Sequence, residues 1–135
     1  MGTWGIGSFE NDDAADFMID LLDSGDLSLV REVLDNVLTS TEYVEAPDAT
    51  LAIVAAEIVA AARGRPTPAA TQEEGLADWL ARIRPTIDAD LAARARDALT
   101  RILADNSELR ELWEETDDLH DWQAVMAELR GHLAP

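Results

Sequence analysis

Glu57 is the only charged residue between Thr50 and Arg63, in the run LAIVAAEIVAAA. A carboxylate in so apolar a stretch must find donors or become neutral, because burial disfavours its charged form. On a helical wheel it falls near Ile53 and Ala61, at the border of the stripe formed by Leu51, Val54 and Ile58. Burial is therefore expected, and Glu57 is a candidate polar hub. Two chemistries fit such a group. One is general acid-base work; the other is a structural acceptor for arginine, a tryptophan N–H or free backbone amides. No His, Ser or metal-ligand partner is identifiable nearby, which favours the acceptor and assigns no catalytic residue.

Two further stretches concentrate carboxylates. EETDDLHDW gathers Glu114, Glu115, Asp117, Asp118, His120 and Asp121, and ENDDAAD gathers Glu10, Asp12, Asp13 and Asp16. The first lacks the glycine and the alternate-residue ligand spacing of a calcium loop. A zinc site would need a second His or Cys at helical spacing, whereas the only other histidine, His132, is far along the chain. Asp118 or Asp121 capping a final helix accounts for the first cluster. In the second, Asp12 and Asp16 share a helix face, a spacing used in two-metal sites that also demand acids from other helices. No Ser-His-Asp pattern, phosphate-binding glycine loop or dinucleotide fingerprint is present, so no cofactor and no metal residue is assigned.

The charge is patterned along the chain. Residues 1–48 hold twelve acids against Arg31 alone, and residues 105–121 hold eight against Arg110 alone. These segments account for the formal charge of -18, since the remainder balances. Such a field repels nucleic-acid backbones and anionic membranes and speeds encounter with a basic protein. The bland reading is two solvated faces that maintain solubility. The candidate faces are Asp16, Asp20 and Asp23, and Glu111, Glu114 and Glu115. Arginines 82, 84, 94, 96 and 101 form a mild basic patch that neighbouring acids neutralise, which argues against nucleic-acid binding. All ten basic residues are arginine and alanine is abundant, a composition expected of a GC-rich bacterial genome or a salt-adapted source. There is no cysteine, and the longest apolar run, Leu51 to Ala56, is too short to cross a bilayer. A cytoplasmic protein is the default expectation.

Helices must position these groups. Ala14, Phe17, Met18, Leu21 and Leu22 follow an amphipathic spacing, with Asn11 as cap and Asp12 and Asp13 at the favourable end of the helix dipole. Gly25 separates this helix from a second bearing Val30, Val33, Leu34, Val37 and Leu38. A third is expected from about Asp48 to Ala62, stopped by RGRPTP. Residues 64–74 are expected to be a mobile loop. Leu76, Trp79, Leu80 and Ile83 mark a short helix ended by Pro85, and Asp88 or Asp90 opens a longer one through Ile102. Ser107 is expected to cap a further turn or two, and Trp122, Val125, Met126, Leu129 and Leu133 stripe the last helix. The result is a single all-α domain over residues 1–135, an irregular or orthogonal bundle of about six helices.

The start of the chain differs. GTWGIGSFE sets glycines 2, 5 and 7 between Trp4, Ile6 and Phe9. Glycine permits close bends, so residues 1–10 are expected to form an extended strap that presses Trp4 and Phe9 onto the bundle; the functional alternative is a loop whose amides receive an anion or a partner's backbone. This opening, MGTWGIGSFENDDAADF, together with AAEIVAAARGRP, SELRELWEE and the late Trp122, resembles the bacterial family known as domain of unknown function 4259. The resemblance covers nearly the whole chain and implies no activity.

The charge pattern leads to a small acidic, non-enzymatic interaction module, of the type of an immunity protein or antitoxin that neutralises a basic partner. A metal-assisted hydrolase using carboxylates of 10–16 or 114–121 is the alternative from another class. A structural subunit of an oligomer is the third.

Overall fold

The computed structural model describes residues 5–40 and 42–135. Trp4, half of the expected strap, lies outside them. Eight helices follow in order among the described residues: α1 (Asp12–Leu22), α2 (Ser28–Leu38), α3 (Ala46–Ala62), α4 (Pro68–Gln72), α5 (Leu76–Ile83), α6 (Ala89–Leu103), α7 (Glu108–Glu114) and α8 (Leu119–His132). The all-α expectation holds. The count of about six does not, because segment 64–74 contains α4.

That extra helix has a local cause. Thr67 stands in extended backbone before Pro68, its hydroxyl accepts from the Ala70 amide at 3.2 Å, and proline is pre-set for the first helical turn. α1 starts where Asn11 Oδ1 accepts from the Ala14 amide at 2.7 Å, and α6 starts where Asp88 does the same for Leu91 at 2.8 Å. α3 ends in paired bonds from the Gly64 amide to Ala61 O and the Arg65 amide to Ala60 O. This closure needs Gly64 at its φ of 81°, in the left-handed region.

α3 is the axis of the bundle. Residues 52 to 60 are buried without interruption, on every side of the helix, and α1, α2, α4, α6, α7 and α8 all pack against it. Its alanines let neighbouring backbones approach, while Ile53, Val54, Ile58 and Val59 fill the space between them. α2 and α6 pair on one flank, and Trp122 of α8 stacks with Trp113 of α7, ring centroids 6.4 Å apart, on another.

Two expected caps are not made. Among the described residues, Ser107 occupies the cap position of α7 with its hydroxyl buried and without a hydrogen bond, and Asp118 makes no side-chain bond to α8. Backbone pairing explains the first: the Val44 amide donates to Asn106 O at 3.0 Å and the Glu108 amide to Val44 O at 2.9 Å, so Ser107 is drawn into a bridge with Val44. α7 is thus tied to the chain just before α3 rather than held by its own cap.

Of the segment expected to form a strap, residues 5–10 are described: Ile6 and Phe9 pack half-buried against the core and Ser8 is buried. No helix among the described residues is long and apolar enough to cross a membrane.

Candidate functional site

Glu57 sits at the middle of α3 and is 1% exposed. Its partner is none of the donors expected from sequence. Thr67, the cap of α4, donates its hydroxyl to Glu57 Oε1 at 2.6 Å while accepting from the Ala70 amide. One hydroxyl therefore joins the central helix to α4. Burial pushes the Glu57 carboxyl above the usual carboxylate range; Ser8, Thr67 and the charge of His132 oppose that shift, and Glu128 reinforces it. Ser8, 4% exposed, lies close enough to act on Glu57, yet its hydroxyl forms no hydrogen bond of ordinary geometry among the described residues.

Sequence reasoning missed both hydroxyls. Thr67 carried a signal, since Thr before Pro is a helix-start pattern. Ser8 carried none, because only the folding of the strap onto α3 brings it there.

Beside this hub is a cavity of about 200 Å³ lined by Ser8, Glu57 and Thr67 together with Ile6, Gly7, Glu10, Pro68, Ala69, Val125 and Glu128. Glu57, Ser8 and Thr67 are its buried floor, and Glu10, Pro68, Ala69 and Glu128 its exposed mouth.

The acidic faces separate in the structure. Asp16, Asp20 and Asp23 are exposed, and their side chains form no hydrogen bond or ion pair among the described residues. Ile19, 69% exposed, lies among them, with Asp16 one turn before it and Asp23 one turn after. On α7, by contrast, Glu111 accepts from the Tyr43 hydroxyl at 2.5 Å and Glu114 pairs with Arg110 at 2.9 Å. Glu108 accepts from the Ala46 amide at 2.7 Å and so serves the first turn of α3. Only Glu115 of that trio has no such bond among the described residues. Tyr43 is pushed up to about 12 by its bond to Glu111, with smaller contributions from burial and from the charges of Glu111, Glu108 and Glu45.

Four of the five arginines of the expected basic patch bond within the fold. Arg82 donates to Leu22 O, Arg94 pairs with Asp35, Arg96 donates to Leu133 O at 2.6 Å, and Arg101 donates to Glu42 O, Asp105 O and Asn106 O. Among the described residues no three His, Asp or Glu side chains converge as a metal-ligand set. Of the carboxylates of 10–16 and 114–121, Asp12, Asp13, Asp16, Glu114 and Asp121 lie on helices and Glu10, Glu115, Asp117 and Asp118 in the connections.

An all-helical bundle with a buried carboxylate in its central helix is the class that fold and site define. The chain belongs to the family described as Domain of unknown function (DUF4259), which it matches over residues 2–125. No curated protein and no solved structure matches it.

Proposed function

We propose that this chain is a small, non-enzymatic interaction module, cytoplasmic and bacterial, that docks a basic protein through the outer face of α1 as a neutraliser of the immunity or antitoxin type. One observation carries the reading: Ile19 stands exposed within a ring of aspartates that the fold does not use. An apolar anchor with a charged rim is the arrangement by which interfaces combine contact energy with steering.

The placement of the acids supports it. Asp20 lies in the last turn of α1 and Asp23 at its C-cap, with no basic residue in that turn. The C-terminal end of a helix already carries partial negative charge, so aspartates there oppose folding, and a basic partner relieves them.

The test is recovery of a basic protein from the native cell at low salt, followed by association kinetics. The triple change of Asp16, Asp20 and Asp23 to Asn should slow association by about ten-fold or more while dissociation changes little, and the wild-type on-rate should fall steeply with salt. Ile19→Ala should instead speed dissociation. Recovery of no basic protein, or kinetics indifferent to salt and to these changes, would end the reading.

A further inference from the structure

The cavity at the Glu57 hub is used by nothing in the proposed docking of α1. We propose that it is a binding site for an aliphatic primary ammonium group, seated against Glu57 and Ser8 with its alkyl stem between Ile6 and Val125.

Charge sets the sign of the ligand. Glu57 lies in the floor and Glu10 and Glu128 at the mouth, so an anion is repelled from every side. A metal ion is disfavoured by the donor set, because no three carboxylate or imidazole groups converge there among the described residues. Among charged ligands an organic cation remains.

Hydrogen bonding narrows the class. A guanidinium is best held edge-on by both oxygens of one carboxylate, and the Thr67 hydroxyl on Glu57 Oε1 competes for that edge. An ammonium needs separate acceptors for its three N–H groups, and the buried Ser8 hydroxyl oxygen, beside Glu57, accepts from no donor among the described residues. A buried hydroxyl left unpaired costs stability, so its retention beside a buried carboxylate is explained by a ligand that completes both. Volume agrees. A cavity of roughly 150 Å³ admits the six carbons of benzene, so about 200 Å³ takes a short alkylamine and not a large metabolite.

The same chemistry comes from two sources, a free alkylamine or a lysyl side chain of another protein. Both can be tested on the intact chain by methyl and amide NMR with n-butylammonium and with Nα-acetyl-lysine methylamide as probes. The expected result is saturable shift change at Ile6, Ser8 and Val125, none with n-butanol, and affinity weakened about ten-fold or more by Glu57→Gln. Ser8→Ala, which leaves the Thr67 bond in place, should weaken it as well and keeps the test open should the Glu57 variant fold poorly. Binding of n-butylammonium alone assigns the pocket to a free amine, and binding of both probes to a lysyl side chain as well. No localised shift with either probe, or equal response to n-butanol, would overturn the proposal. So would an affinity unchanged in both variants.

Discussion

On α1, Asp16, Asp20 and Asp23 reach into solvent and hold nothing; on α7, Glu111 and Glu114 hold Tyr43 and Arg110, and Glu108 holds the first turn of α3. Both stretches read alike as dense acid on a helix. Position in the bundle separates them. Among the described residues α1 packs chiefly on α3, which leaves its outer side unopposed, whereas α7 lies against α3, α6 and α8 and beside the 42–45 segment. An acid with donors nearby becomes part of the fold, and an acid without them stays in solvent.

Changes at Glu57, Glu108, Glu111 and the three aspartates would break or sharpen this contrast, and Glu57, the acid with the most enclosed setting, should give the largest effect. Glu57→Ala leaves Thr67 without its acceptor and opens space at the bundle axis, at a cost of about 1–3 kcal/mol. Glu57→Gln should cost less. The pH dependence has a definite sign. Because the folded protein holds this proton more tightly than the unfolded chain does, the contribution of Glu57 is complete below the ordinary value of 4.5 and is lost as pH rises through the elevated pKa. Denaturant melts of wild type and Glu57→Gln across that range should show the difference shrinking with pH. A constant difference would place the carboxylate in solvent.

Glu108→Ala comes next. It strands the Ala46 amide at the start of α3, and urea unfolding should report a loss of about 1 kcal/mol, as for a missing helix cap. If the loss is nil, the acids of α7 are as idle as those of α1.

Glu111→Gln should leave the melting temperature nearly unchanged and act instead on Tyr43, the only tyrosine of the chain. Ultraviolet titration of the phenol should move from about 12 in the wild type toward the ordinary 10. An unmoved titration would remove the bond between the two side chains.

The smallest effect on folding is expected on α1. Changing Asp16, Asp20 and Asp23 to Asn should leave the melting temperature level or slightly raised, because like charges are relieved at the negative end of the helix dipole. A fall in melting temperature would mean that these aspartates also stabilise the fold, and the contrast with α7 would disappear.

Local signals determined most of the helix boundaries. Asn11 before Asp12 and Asp13, Asp88 before α6, Gly64 after α3 and Pro85 after α5 act within a turn of their own position, so their meaning survives without a fold. The start of α3 was misplaced by two residues, since Ala46 depends on a carboxylate from α7. Ser107 looked like a cap and was taken up by a backbone bridge to Val44, a pairing between distant residues that no local pattern encodes.

What the sequence by itself determined is the helical period, the punctuation, the isolation of one glutamate in an apolar run, and the two acidic stretches, all of which are properties of neighbours along the chain. Tertiary structure alone decided which acids acquire donors, that Ser8 and Thr67 meet Glu57, and that Ile19 stays exposed among aspartates. The physical reason is that a side chain's electrostatic role depends on dielectric and on donors within about 3 Å. In this bundle those donors come from helices and loops remote in sequence.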